Sequence, residues 1–385
     1  MYIFEINYKL LDSTIPKMKI ILLSILIFIS TFIDAQDTIQ PKKPILSLSS
    51  YLDVFYVYDF NEPTTNYRQP FLYNHNRHNE FNLNLGFIKF TIENSNYRAN
   101  LSFQSGTYVN DNYAAEPNSL KNIAEANIGI SLNNKNNLWL DAGVFASHIG
   151  FESAISMDNW NLTRSILAEN SPYFLSGVKL TYIPNDNLEL AALVCNGWQR
   201  IKRLQGNSLP SFGTQVKYTA TDLFTLNWST FIGTDDPDST RRMRYFNNFY
   251  GQFQISEKFG LIAGFDIGMQ QRSKNNSTYD TWLSPVIIGQ LILNKNWKTA
   301  IRAEYYQDKT GIIIPTGTTN GFKTSGISIN VDYAKTENIL VRIEARWLNS
   351  LDKIFISSNS LINNNYFVGT SVALKFNEIL SKKAN

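Results

Sequence analysis

The amino-acid sequence predicts an all-β fold: a transmembrane up-and-down antiparallel β-barrel of about 16 strands, with short periplasmic turns and long external loops. Three observations predict it. Apolar and polar residues alternate with a period of two from residue 46 onward, and short polar connections alternate with long ones. Aromatic residues make up 14% of a chain that is only 43% hydrophobic. A membrane barrel needs such a composition because its outside is apolar, its inside is polar and aromatic rings line both rims.

Residues 1–35 are predicted to be a signal peptide. An apolar run from Ile20 to Ile33 follows two lysines and ends at a cleavage site after Ala35. The run is too short to cross a bilayer as a helix, and its length is typical of a signal-peptide core. Met18 offers an alternative start of the chain. We therefore expect export to the bacterial outer membrane, with residues 36–45 as a short periplasmic segment before the barrel.

The barrel itself is predicted to occupy residues 46–376, with a C-terminal tail at 377–385. In the first strand, Leu52 and Val54 lie on one face and Asp53 lies on the other, because alternate residues of a strand point to opposite faces. The sixteen strands are predicted to begin near residues 46, 79, 97, 122, 138, 174, 188, 210, 223, 245, 260, 282, 298, 322, 339 and 365.

The connections between these strands favour a membrane barrel over a soluble sandwich. Seven short polar turns alternate strictly with eight longer connections, so every turn lies at one end and every loop at the other. Tyr182, Tyr218, Tyr333 and Phe376 lie on the apolar face near the turn ends, which predicts an aromatic girdle at the membrane surface. The pattern is weakest in the twelfth strand, where Pro285 precedes a run of apolar residues.

Several stretches resemble the OmpL-like β-barrel porins. These are Ser50–Pro63 (SYLDVFYVYDFNEP), Gly143–Glu152 (GVFASHIGFE), Asn161–Ser165 (NLTRS), Gly177–Tyr182 (GVKLTY) and Asn196–Trp198 (NGW), in the same order along the chain. The resemblance covers essentially the whole chain after the predicted signal peptide. It implies an outer-membrane barrel for passive transport, and it brings no catalytic residue and no cofactor.

Charged residues on the inward-facing parity are predicted to line the channel. A charge on the lipid face would cost about 2–4 kcal/mol at the membrane midplane, so these side chains should face the lumen. They are Asp53, Asp59, Glu80, Arg98, Glu125, Asp141, Lys179, Glu189, Lys217, Asp266, Arg302, Glu304, Asp332, Arg342, Glu344, Arg346 and Lys375. Both signs are similarly frequent, which predicts a weak overall ion preference.

Six of these charges, on the thirteenth to fifteenth strands, share one wall. They are Arg302, Glu304, Asp332, Arg342, Glu344 and Arg346. Such a ladder has two interpretations, which the sequence leaves open. It either sets a transverse field that orients dipolar solutes or forms salt bridges that stiffen the barrel.

The longest connection, from His148 to Tyr173, is the third of the long loops. By analogy with general sixteen-stranded porins it would fold inward and narrow the channel; the alternative is an ordinary surface loop. If it folds inward, the residues expected to face the constriction are Glu152, Asp158, Arg164 and Glu169.

Composition excludes other classes of protein. The chain carries 35 basic and 32 acidic residues, and this balance argues against a nucleic-acid partner. The single cysteine, Cys195, excludes an internal disulfide and a cysteine-cluster zinc site. Asp235, Asp236 and Asp238 offer oxygen atoms for Ca²⁺, but their spacing does not match an EF-hand loop. We expect no metal and no cofactor.

The function expected from these features is passive diffusion of small hydrophilic solutes or ions through a water-filled lumen. Sixteen strands leave room for such a lumen. The expected partners are outer-membrane lipid, the solutes and, by analogy with general porins, two further copies in a homotrimer. The alternative is a surface-exposed barrel that binds or adheres through its long loops. An enzyme is not expected, since the neighbouring Ser147 and His148 point to opposite faces and cannot pair as nucleophile and base.

Overall fold

Sixteen antiparallel strands close into a barrel in the computed structural model, which describes residues 43–220, 223–358 and 360–381. The predicted signal peptide lies outside these residues. Strands β1 to β15 follow one another around the barrel, and β18 joins β15 to β1. The short strands β16 and β17 form a separate hairpin in the last loop. The predicted fold class is therefore confirmed.

The strand starts agree with the sequence pattern to within three residues throughout. The strands are β1 Ile45–Asp59, β2 Phe81–Glu93, β3 Tyr97–Ser105, β4 Ile123–Ser131, β5 Leu138–Ala146, β6 Phe174–Asn185, β7 Leu188–Cys195, β8 Ser211–Ala220, β9 Phe224–Gly233, β10 Arg244–Gln254, β11 Phe259–Gln271, β12 Tyr279–Ile292, β13 Trp297–Asp308, β14 Phe322–Thr336, β15 Ile339–Ser350, β16 Phe355–Ile356, β17 Leu361–Ile362 and β18 Asn364–Ile379. The short helices are α1 Thr107–Asn112, α2 Asn118–Lys121 and α3 Ile166–Glu169, with a 3₁₀ turn at Ser156–Asp158. Among the described residues, no helix is long and apolar enough to cross a membrane.

Closure between β1 and β18 removes both free sheet edges. The pairing runs from Ser47 opposite Ile379 to Asp59 opposite Phe367. The last strand therefore extends beyond Phe376, the predicted end of the barrel, because its final residues still pair with β1. The start of β2 also differs from the prediction. Asn79 has a left-handed backbone (φ 55°) that ends the preceding loop, so the strand begins at Phe81.

The outer face of the barrel is apolar along the strands. Ile329 and Ile343 remain half exposed there, while their neighbours on the inner face are buried. Near the turn end, Tyr182 and Tyr218 also stand outward, 41% and 42% exposed. This arrangement suits a lipid environment with aromatic rings at the headgroup level.

Strand β12 keeps its parity despite its uniform apolar sequence. Ile287 points outward and is 55% exposed, whereas Val286 and Ile288 point inward and are almost fully buried. Pro285 has no N–H to offer to β13, and the opposite carbonyl of Tyr305 accepts a hydrogen bond from Ser284 Oγ at 2.9 Å. The inner face is apolar here because a loop packs on it.

Eight longer connections join the described strands at the loop end, and loops 1, 2 and 3 among them place buried side chains inside the barrel. They are numbered loop 1 (60–80), loop 2 (106–122), loop 3 (147–173), loop 4 (196–210), loop 5 (234–243), loop 6 (272–278), loop 7 (309–321) and loop 8 (351–363). Loop 1 places Phe71 against Phe322 of β14 and Phe355 of loop 8, with ring centroids 4.8 and 6.1 Å apart. Loop 3 adds Ile149 and Ile166 to the same apolar cluster, which reaches from β5 to β15. The loop end of the lumen is thus packed like a soluble protein interior, although the sequence predicts a polar lumen throughout.

Candidate functional site

The barrel lumen has two unlike walls. The inner faces of β11 to β15 are covered by loop 3, and we call them the covered wall. The inner faces of β2 to β8 near the turn end are called the open wall, because their charged side chains keep part of their surface exposed.

On the covered wall, Arg302 and Glu344 hold the backbone of loop 3. Arg302 donates to the carbonyl oxygen of Thr163 at 2.6 Å and to Glu344 Oε1 at 2.9 Å. Glu344 accepts from the Thr163 N–H at 2.6 Å and from its hydroxyl at 2.9 Å. Both charged side chains are fully buried. Charge-assisted bonds of this kind are stronger than neutral ones, so they fix the loop firmly at mid-height.

Above this point, Glu304 and Arg346 continue the contact with loop 3. Glu304 accepts from the N–H of Ile166 at 2.7 Å, at the start of α3, and from Arg346 Nε at 2.9 Å. Arg346 also donates to the carbonyl oxygen of Arg164 at 3.1 Å. The two side chains are buried between wall and loop.

Nearer the turn end, Arg342 also connects the covered wall to loop 3. Its guanidinium binds both oxygens of Asp332 at 2.7 and 2.8 Å and donates to the carbonyl oxygens of Asn159 and Asn161 at 2.8 and 3.1 Å. All six charges of the ladder are therefore used in ion pairs or in bonds to loop 3. These contacts favour the structural interpretation of the ladder over a field exposed to solutes.

Three of the four charged residues predicted at the constriction are buried inside the loop packing. Glu152 accepts from the Ser165 N–H at 3.1 Å and from its hydroxyl, and burial raises the pKa of this carboxyl. Arg164 pairs with Glu169 at 2.9 Å. Only Asp158 reaches water, where it pairs with Lys375 of β18 at 2.7 Å.

Loop 1 is fastened to β1 and to loop 3. His75 Nε2 lies 3.0 Å from Asp53 Oδ2, which also accepts from Asn84 at 3.2 Å. Asp53 is fully buried by this contact and does not face water. Glu169 of loop 3 accepts from the N–H of Tyr73 at 2.9 Å. Loops 1 and 3 thus support each other.

Two further predicted lining residues are not placed on the inner surface as expected, since one is buried and the other lies in loop 1. Asp266 on β11 is 3% exposed and accepts from Asn248 at 2.6 Å. Glu80 precedes β2 and accepts from Asn82 at 2.7 Å at the loop end. Its predicted place on the inner face of β2 is wrong, because the strand begins one residue later.

Most of the remaining predicted residues form the open wall. Glu125 pairs at 2.8 Å with Lys89, which was not predicted, and about a quarter of each side chain is exposed. Arg98 binds both oxygens of Asp141 at 2.7 and 2.6 Å. The other members are Lys179, Glu189 and Lys217, all partly exposed.

Two predicted residues lie elsewhere. Asp59 is fully buried beside Arg68 of loop 1, and Lys375 lies on β18 in its ion pair with Asp158.

The acidic residues of loop 5 are paired with arginines. Asp235 lies 3.6 Å from Arg244, Asp236 lies 2.8 Å from Arg242, and Asp238 pairs with Arg241. Hydrogen bonds from Ser208, together with Arg241, lower the pKa of Asp238 to about 2. Each carboxylate is thus already neutralised by a guanidinium.

The predicted site residues do not include the aromatic anchors of loop 3. Phe151 and Trp160 pack on β11, where a side chain at Gly264 or Gly260 would come within 2.6 or 2.7 Å of their rings. Glycines on the inward parity of a strand indicate such a close approach. This signal was present in the sequence, since Gly260 and Gly264 lie on the same face of β11.

Comparison with solved structures places this geometry among outer-membrane channels. The outer membrane channel DcaP of Acinetobacter baumannii superposes with a TM-score of 0.57 at 11% identity, covering 87% of this chain and 98% of that one. The anion-selective porin from Comamonas acidovorans gives 0.59 at 8% identity, covering 87% and 100%. The trimer form of Vibrio cholerae OmpT gives 0.56 at 8% identity, also covering 87% and 100%. At these identities the likeness shows the fold alone.

Sequence comparison identifies the family. Curated protein sequences give no significant match to this chain. A family model does match, over residues 45–376, which is nearly the whole barrel. Family and fold together support a porin-type channel of the bacterial outer membrane. The chain belongs to the family described as "Putative beta-barrel porin-2, OmpL-like".

Proposed function

We propose that the protein lets small hydrophilic solutes or ions cross the bacterial outer membrane by passive diffusion. The observation that carries this proposal is the open wall, where polar and charged side chains stay in contact with water inside a closed barrel of sixteen strands. Solutes would then be filtered by size and by these charges, without any cofactor. Export through a signal peptide at residues 1–35 is part of the same proposal.

Loops 1 and 3 set the width of the path. Loop 3 is held at mid-height by buried charges, so it forms the fixed constriction. Loop 1 narrows the loop end through its apolar contacts, above all Phe71 against Phe322 and Phe355. The single-channel current steps of such a channel are small, and displacing loop 1 makes these steps larger.

Single-channel conductance of the purified barrel in planar bilayers tests the proposal. We expect small steps that scale with bulk conductivity, and larger steps when residues 69–74 are replaced by glycine and serine at equal length. The matched control is the same replacement in loop 6 at 273–277, which lies outside the apolar clusters of the lumen. Heat-modifiable gel mobility verifies folding. If neither the unmodified barrel nor the loop 1 variant conducts although both are folded, the channel proposal is wrong.

We also propose that the protein assembles as a homotrimer surrounded by outer-membrane lipid. The support is the likeness in fold to a porin solved in a trimer form. Native mass spectrometry in detergent should show three copies, and a purely monomeric species would contradict it.

A further inference from the structure

Some charged side chains of the lumen are paired with an opposite charge, and others are not. The paired ones are concentrated on the covered wall. On the covered wall, arginines and carboxylates bind one another and the backbone of loop 3. A carboxylate of loop 3 also has a neutral donor, since Glu152 accepts from the Ser165 N–H. Because opposite charges are paired at short distances here, their fields largely cancel and add little to the net field that a passing ion meets.

The partly exposed lumen charges leave an excess of cations. Three ion pairs use up the carboxylates of Glu125, Asp141 and Asp158, with N···O distances of 2.6 to 2.8 Å. Within the described chain, no carboxylate lies within 4.0 Å of Lys179, Lys217 or Lys298. On the inward parity of the described strands, the exposed or partly exposed carboxylates without an ion pair are Glu93 and Glu189. Three unpaired ammonium groups therefore face two unpaired carboxylates.

Lys179 has no ion pair because the carboxylate opposite it binds another cation. Asp141 lies directly opposite Lys179 in the pairing of β5 with β6. Both oxygens of Asp141, however, accept from Arg98 on β3. The Lys179 ammonium instead lies 5.1 Å from the ring centroid of Phe145, a contact that supplies no opposite charge. Two cations thus share one carboxylate on this row of the open wall.

Lys217 and Lys298 extend the cationic surface to both sides. Lys217 faces Glu189 across the pairing of β7 with β8 without an ion pair. Lys298 lines a cavity of about 570 Å³ between loop 3 and the turn end of β12 to β14, where Asp332 is already bound to Arg342. Lysines without an ion pair thus lie on two sides of the lumen, on β8 and on β13.

We propose that the channel prefers anions, and that Lys179, next to the Arg98–Asp141 pair and with Lys217 beyond it, is a binding point for small solutes carrying a carboxylate or phosphate. This inference rests on the proposed channel function and names its substrate class. An ammonium that has lost its internal partner gains most from an anionic ligand, because the ligand supplies the missing charge.

Reversal potentials in a KCl gradient test the preference. The unmodified channel should pass chloride more readily than potassium, and the double variant Lys179→Gln/Lys217→Gln should lower that permeability ratio by roughly twofold or more, because two lumen charges are lost. Inorganic phosphate, added as a probe, should reduce the chloride current of the unmodified channel more than that of the variant. The single variant Lys179→Arg keeps the positive charge, so it should retain most of the preference for chloride over potassium.

The matched control is Lys309→Gln/Lys353→Gln, which removes two exposed lysines from loops 7 and 8. It should leave the ratio unchanged. A conducting channel that prefers potassium, or a ratio that does not respond to the Lys179→Gln/Lys217→Gln change, would overturn the inference while leaving the channel intact. Absence of conductance in every folded variant would count instead against the proposed function.

Discussion

Single side chains of the covered wall decide whether loop 3 stays in the barrel. Glu344 and Arg302 reach a loop that lies far away in the sequence, and they bind the backbone and hydroxyl of Thr163. A buried charge that loses its partner is costly, because neither water nor another group replaces the lost bonds. The loop and the ladder therefore depend on each other.

We expect Glu344→Ala to lower the free energy of unfolding by about 3–5 kcal/mol, since Arg302 would remain buried without its carboxylate. Urea unfolding in lipid vesicles measures this. Glu337→Ala in an exposed turn is the control and should change the value by less than about 0.5 kcal/mol. Equal effects of the two substitutions would contradict the role of Glu344.

His148 makes the attachment of loop 3 sensitive to acid. Its Nε2 lies 2.8 Å from the carbonyl oxygen of Thr230, close against Gly213. Burial, with a smaller effect of nearby Lys179, lowers the pKa of this imidazole from 6.5 to about 4. The unfolded chain therefore binds a proton at a higher pH than the folded chain does.

Stability should accordingly fall as the pH drops from about 6.5 toward about 4, by on the order of 2–3 kcal/mol. Above pH 6.5 both states are neutral at this group, and no further change is expected from it. Urea unfolding at pH 7 and pH 5 measures the slope. The variant His148→Gln should show a smaller slope, and an unchanged slope would assign the effect to other groups.

At the scale of elements, loop 3 behaves as an additional layer packed on the inner face of β11 to β13. Phe151 and Trp160 occupy space that Gly264 and Gly260 leave free. This packing explains why Val286 and Ile288 of β12 are apolar although they point into the lumen. A strand covered on both faces loses the alternation that marks an ordinary barrel strand.

Filling that space should release the loop. We expect Gly264→Val to displace Phe151, at a cost of about 1–3 kcal/mol, and to speed hydrogen exchange of the Thr163 and Ile166 amides. Gly289→Ala is the control, because its new methyl group would only touch Phe259 at an ordinary 3.5 Å. Protection of the Thr163 and Ile166 amides that survives Gly264→Val would show that the aromatic contacts are not needed.

At the scale of the whole molecule, the barrel is organised as apolar outside and mixed inside. Ile329 is 50% exposed on the outer face, near the middle of β14. Loops 1 and 3, whose length suggested a surface for binding partners, are instead largely buried in the lumen. The two longest loops therefore shape the interior of the barrel and not its outer surface. This favours a channel over an adhesive surface.

Placing a charge on the outer face tests the orientation of the barrel in the membrane. Ile329→Arg should make folding into a bilayer less favourable by about 2–4 kcal/mol, whereas Ile339→Arg, on the outer face at the turn end of β15, should cost only about 0–1 kcal/mol. Equilibrium folding into lipid vesicles measures both. Equal costs would mean that the middle of β14 does not lie at the membrane centre.

The sequence alone determined the number of strands, their starts, and which face of each points outward, except in β12. These features are local, because the period of two and the alternation of turns and loops are set by neighbouring residues. The glycines on the inner face of β11 carried a further local signal for a close approach, but it became interpretable only with Phe151 and Trp160 in place.

Only the tertiary structure decided which inward charges stay in contact with water. Parity assigns Arg302 and Lys179 to the same lumen, yet one is buried under loop 3 and the other faces the open wall. The difference depends on contacts between residues more than a hundred positions apart, such as Thr163 with Glu344. Burial is a property of that packing, so no strand pattern could separate the ladder that anchors loop 3 from the lysines left free.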